Sequence, residues 1–173
     1  MCLCCGGPQL LELGIYGAST GLTRGATVYT EEECEVAITK ATDIINERTK
    51  LLQEYTTGAN DCAALLMEYD KALRGTSSKA QLSFTWKTPR EFLINLKRSG
   101  FTVEEYLTHC GYQTIKSMRP KIGDVAFSGG ALIASSRGWI TTTETNEGVV
   151  VAKQLMFLDR SLSIIARPKK DQT

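Results

Sequence analysis

The stretch "GDVAFSGGALIASSRGWITTT", residues 123–143, decides the fold class. It splits into "GDVAFS", "ALIASS" and "GWITTT", short apolar or β-branched runs separated by Gly and Ser. Such runs read as strands joined by tight turns. Downstream, "GVVVA" (148–152) and "SIIARP" (163–168) continue the texture, and "KQLMFLDRS" (153–161) between them fits a turn of helix. Strands are therefore expected only after about residue 120.

Working back from this point, the texture is helical. Thr30 and Glu33 have the spacing of a capping box, and Glu31, Glu32 and Glu33 suit the positive end of a helix dipole. Val36, Ala37, Ala41, Ile44, Ile45, Leu51 and Leu52 recur mostly at helical spacing, which predicts a long helix over 31–55. Such a helix either supports the domain or offers a contact surface. A second helix is predicted over 61–74, capped by Asn60 or Asp61 and closed by Gly75. Its apolar face holds Ala63, Leu66, Met67, Tyr69 and Leu73, with Glu68, Asp70 and Lys71 outside. "TPREFLINLKRSG" predicts a third over 88–99, with Thr88 as cap and Pro89 in the first position. Thr102 caps a fourth over 102–110. Helices first and strands last give an α+β fold, helices in the N-terminal two thirds packed on a small C-terminal antiparallel sheet.

Residues 1–30, "MCLCCGGPQLLELGIYGASTGLTRGATVYT", show no sustained period and read as an irregular N-terminal arm. Residues 31–173 then make a single α+β domain. The whole chain has 173 residues, enough for one core, with 20 basic and 19 acidic side chains. That balance, without a basic face, argues against nucleic-acid binding. No run of about eighteen apolar residues predicts a membrane span, and the start lacks the pattern of a signal peptide.

The six cysteines, Cys2, Cys4, Cys5, Cys34, Cys62 and Cys110, are read as reduced thiols rather than a disulfide framework. Zinc would want two separated pairs of ligands, and only the cluster Cys2/Cys4/Cys5 stands out, so no metal and no cofactor is expected. "GASTG" (17–21) and "SGG" (128–130) lack the Lys-Ser/Thr ending of a phosphate loop. Trp86 and Trp139 read as core or interface anchors, and Asp61 with Glu68 as part of a solvated helix face.

Cys62 is the candidate catalytic residue. A thiol in the first turn of a helix meets unpaired N–H groups and the helix dipole, both of which favour the thiolate. A cysteine hydrolase then needs a histidine base and a group that orients it. The bland reading of Cys62 is a small buried hydrophobe. The only histidine, His109, lies on the predicted fourth helix beside Cys110, where a surface or packing role explains it.

"NDCAALLMEYDKALRG" (60–75), followed by a helix-rich stretch and "MRPKIGDVAF" (118–127), resembles the NlpC/P60 branch of papain-like cysteine hydrolases. More closely, it resembles a mostly phage-encoded group of divergent relatives of that branch. The resemblance runs over about residues 58–168, after the long helix of 31–57. It implies a papain-like α+β fold and a phage particle as the home. The active branch cleaves peptide bonds in cell-wall peptidoglycan. Cys62 matches the nucleophile, and Gly123, Asp124 and Val125 match the strand before the catalytic histidine. The resemblance places that histidine at the start of the next strand, where this chain has "SGGALIASS". The expectation is thus a structural or interaction protein of the virion, made in the bacterial host cytoplasm, on a hydrolase fold without its base. Its partners would be other virion proteins or copies of itself, through residues 1–30 and the 31–55 helix. The alternative is an active peptidase or amidase using Cys62.

Overall fold

The computed structural model describes residues 27–116, 119–127, 130–152 and 164–170. Among the described residues, four helices precede a six-stranded antiparallel sheet, so the molecule is α+β. They are α1 (Glu31–Leu52), α2 (Cys62–Arg74), α3 (Pro89–Arg98) and α4 (Val103–His109). The strands are β1 (Tyr112–Ile115), β2 (Val125–Phe127), β3 (Ala131–Ser135), β4 (Gly138–Thr142), β5 (Val149–Val151) and β6 (Ile164–Pro168). Their order across the sheet is β1-β6-β2-β3-β4-β5.

The expectation that all strands follow residue 120 needs correction, because β1 lies at 112–115 and pairs with β6, Tyr112 opposite Pro168. "YQTI" is too short to announce itself, and its partner is more than fifty residues away in the chain. The three strands of the quoted stretch form consecutive hairpins, Val125 opposite Ile133 and Ile133 opposite Ile140. Alternation sorts their side chains. Val125, Ile133, Ile140 and Ala166 face the main core. Ala126, Leu132, Ala134 and Trp139 form a smaller cluster on the other face.

Helix α1 begins as its sequence dictates. Thr30 and Glu33 exchange both capping-box hydrogen bonds. It ends at Leu52 rather than near 55, because Gln53 turns left-handed at φ 56° and returns its N–H to the Thr49 carbonyl. Its buried face is Cys34, Ala37, Ile38, Ala41, Ile45 and Thr49, packed on α2 and the sheet. Of the expected apolar series, Val36, Ile44, Leu51 and Leu52 are instead exposed. A second correction concerns α2. Asp70 does not face solvent but is wholly buried, where it accepts from Arg74 Nε at 2.8 Å and from Ser78 Oγ at 2.7 Å. The Arg74 guanidinium also donates to the carbonyls of Gly111 and Lys169 and lies over the rings of Tyr29 and Tyr112. One side chain thus joins α2, the α4–β1 turn and the end of β6.

Of the expected arm, residues 1–26, with Cys2, Cys4 and Cys5, lie outside the described residues, as does "KQLMFLDRS". The arm's last residues join the domain. Val28 bridges to Lys169, and Lys170 N–H donates to the Thr27 carbonyl at 2.7 Å. Among the described residues no helix is long and apolar enough to cross a membrane.

The Gly123–Asp124 pair that opens β2 has a structural basis. Gly123 has φ +93°, and a Cβ there would fall 2.3 Å from Cys34 Sγ and 2.8 Å from the Tyr69 hydroxyl. Tyr69 donates that hydroxyl to the Gly123 carbonyl. The buried Asp124 carboxylate takes a two-pronged hydrogen bond from Arg167, at 2.7 and 2.8 Å.

Candidate functional site

The loop between α1 and α2 is folded around one carboxylate. Asp61 is the N-cap of α2, its Oδ1 accepting from Ala64 N–H at 2.8 Å. Oδ2 accepts from Gly58 N–H at 2.8 Å and from Trp86 Nε1 at 2.7 Å. Asp61 is therefore buried, not part of a solvated face, while Glu68 pairs with Arg48. Asn60, the other cap candidate, is buried as well, accepting from Thr56 N–H and donating to the Glu54 carbonyl. This loop fixes where α2 starts, and so where Cys62 sits.

Cys62 is the first residue of α2 and is half-buried. Its Sγ points at the start of β3, accepting from Ala131 N–H at 3.4 Å. A Cβ on Gly130, the residue before Ala131, would stand 3.4 Å from the same sulfur, in ordinary contact. The other side of the thiol borders a cavity of about 450 Å³. Its wall is mostly apolar: Trp86, Phe92 and Leu93 from one side, Val103 from α4, Phe127 and Ile164 from the sheet. Trp86 and Phe92 meet edge to face with centroids 5.2 Å apart. Tyr55 and Arg90 are the remaining polar contributors besides Asp61 and Thr57.

The electrostatics run against a nucleophile. Burial pushes the Cys62 thiol above its ordinary range, the Asp61 charge adds to this, and the Ala131 N–H opposes it. Burial thus outweighs the helix N-terminus that ordinarily lowers such a pKa. Nor does the histidine reach the sulfur. His109 ends α4, is exposed, and lies 5.2 Å from the Phe101 ring, outside the lining of the cavity. Cys34 and Cys110 are buried in the core, away from that lining. Among the described residues no group of three or more His, Cys, Asp or Glu is placed to hold a metal. As built, the site can enclose an apolar group, and among the described residues no histidine is placed to activate the thiol.

The sequence singled out Cys62 and the start of β2. It did not reveal the aromatic wall, because Tyr55, Trp86, Phe92, Phe127 and Ile164 come from separate segments with no spacing that links them. The one available signal was Trp86, whose indole N–H needs a partner when buried; nothing local in the sequence pointed to Asp61, 25 residues away. Compared with known proteins, the chain matches no family model, no curated protein and no solved structure.

Proposed function

We propose that the chain is a non-catalytic module on a papain-like plan, acting as a structural or interaction protein of a phage particle. The observation that carries the non-catalytic reading is the partner of Cys62. The residue facing its sulfur at the start of β3 is Ala131, which offers a main-chain N–H where a hydrolase of the resembled branch places its histidine. A helix headed by cysteine, set before an antiparallel sheet, supports the papain-like plan. The phage particle as the home rests on the resemblance of residues 58–168. The second reading, an active cysteine peptidase or amidase on peptidoglycan, is favoured by Cys62 standing at a helix start on a cavity.

Thiol labelling of the folded protein near neutral pH separates the two. The expected result is that Cys62 labels no faster than free cysteine and that peptidoglycan fragments stay intact. Fast labelling of Cys62, with turnover abolished by Cys62→Ala, overturns the non-catalytic reading. A mass-spectrometric inventory of purified particles tests the second half, since a virion component must appear in it.

A further inference from the structure

We propose that the cavity beside Cys62 binds a monocarboxylate with an apolar tail, the tail against Trp86, Phe92 and Phe127 and the carboxylate at Arg90. The volume, about 450 Å³, falls in the range of small-ligand sites, which are mostly apolar with a few placed polar groups. The chemistry of those polar groups selects the head of the ligand. Asp61 offers no donor, because both its oxygens already accept N–H groups, and its charge directs a carboxylate away from itself, toward Arg90. Arg90 stands in the first turn of α3, is exposed, and has no carboxylate partner among the described residues. Its planar fork matches a carboxylate, and the start of the helix adds positive potential.

Tyr55 supplies a second donor. Its hydroxyl has no hydrogen-bond partner among the described residues. Burial, with the Asp61 charge behind it, pushes its pKa up to about 12, so it remains a neutral donor at ordinary pH. An apolar acid therefore finds an apolar wall for its tail and, on the same lining, Arg90 for its head and the Tyr55 hydroxyl as a further donor. A neutral apolar ligand leaves Arg90 unused, and a cation meets Arg90 with repulsion. Leu93, on the same helix, is 52% exposed while lining the cavity, so apolar surface continues to the mouth. The inference goes beyond the non-catalytic reading and does not need it, since the ligand occupies the cavity whether or not the thiol is reactive.

Calorimetric titration of the full chain with hexanoate, octanoate, decanoate and decanol tests it. Decanoate should bind saturably at one site. Each added methylene should tighten binding about three- to fourfold until the cavity is filled. Arg90→Gln should weaken decanoate about two- to fivefold and leave decanol unchanged. Leu93→Asp, also at an exposed position, should weaken both. The titration is repeated on Cys62→Ala, where saturable one-site binding should persist with an affinity shifted only by the lost sulfur contact; this keeps the outcome separate from any activity found at the thiol. Absence of saturable decanoate binding overturns the proposal. So does equal loss of decanoate and decanol in Arg90→Gln, which assigns the cavity to neutral ligands. Saturable binding of a short apolar peptide that decanoate fails to displace assigns it to a protein partner and overturns the proposal as well.

Discussion

At the scale of single residues, Gly123 and Asp61 carry much of the geometry. Gly123 sits at the crossing of three elements, with Cys34 of α1 and Tyr69 of α2 both closer to its missing Cβ than any real side chain tolerates. The left-handed φ adds a second penalty for any other residue. Gly123→Ala should therefore lower stability by at least about 2 kcal/mol, from backbone strain plus overpacking. Chemical denaturation measures this, and an unchanged midpoint would refute the packing described around β2. The residue-level grammar was legible where it is local. Thr30 with Glu33, and Thr102 with Glu105, form the capping boxes that their spacing allows. Between Asn60 and Asp61 the sequence could not choose, because the deciding partner is Trp86, remote in the chain. Nor could it tell that Asp70 is buried, since a charged residue one turn from Arg74 looks the same on a solvated helix face.

At the scale of elements, helix starts and types followed from caps and apolar spacing, and four helices lie close to where those signals put them. Val36, Ile44, Leu51 and Leu52 of α1 are exposed for a physical reason. A long helix meets its neighbours along one stripe only, and the periodic series was wider than the stripe that α2 and the sheet cover. Strand β1 was missed because its stability comes from β6, whose pairing no local pattern encodes. Helix α2 depends on a polar contact, the fully buried Arg74–Asp70 pair. Removing one member leaves the other charge without its partner in the core. Arg74→Met should cost about 3–5 kcal/mol and should loosen the α4–β1 turn and the end of β6, because the carbonyls of Gly111 and Lys169 lose a donor. Hydrogen exchange should then accelerate at the amides of β1 and β6 more than at those of β3. Uniform protection across the sheet would show that Arg74 does not tie these elements together.

At the scale of the whole molecule, the core is assembled around protonated thiols and phenols, and that sets how it responds to alkali. Burial raises Cys34 and Cys62 above the usual thiol range and pushes Cys110 from 9.0 up to about 12. Tyr69, Tyr106 and Tyr112 are raised by burial too. A raised pKa means that the folded chain keeps its proton where the unfolded chain has lost it. The unfolded state then binds fewer protons, so stability falls as pH rises. Below the ordinary thiol range both states are protonated and these groups contribute no pH dependence. From about pH 9 to about pH 12, Cys110 alone should remove about 1.4 kcal/mol per pH unit. Cys34 and Cys62 act in the same direction, so the slope in this window should exceed that of a single group. Urea unfolding followed across the window tests this, and Cys110→Ala should flatten the profile by about one group's share. A stability that stays level through the window would mean that the thiols are solvated, and with it the packed junction of α1, α2 and β2 around Cys34 would have to be abandoned.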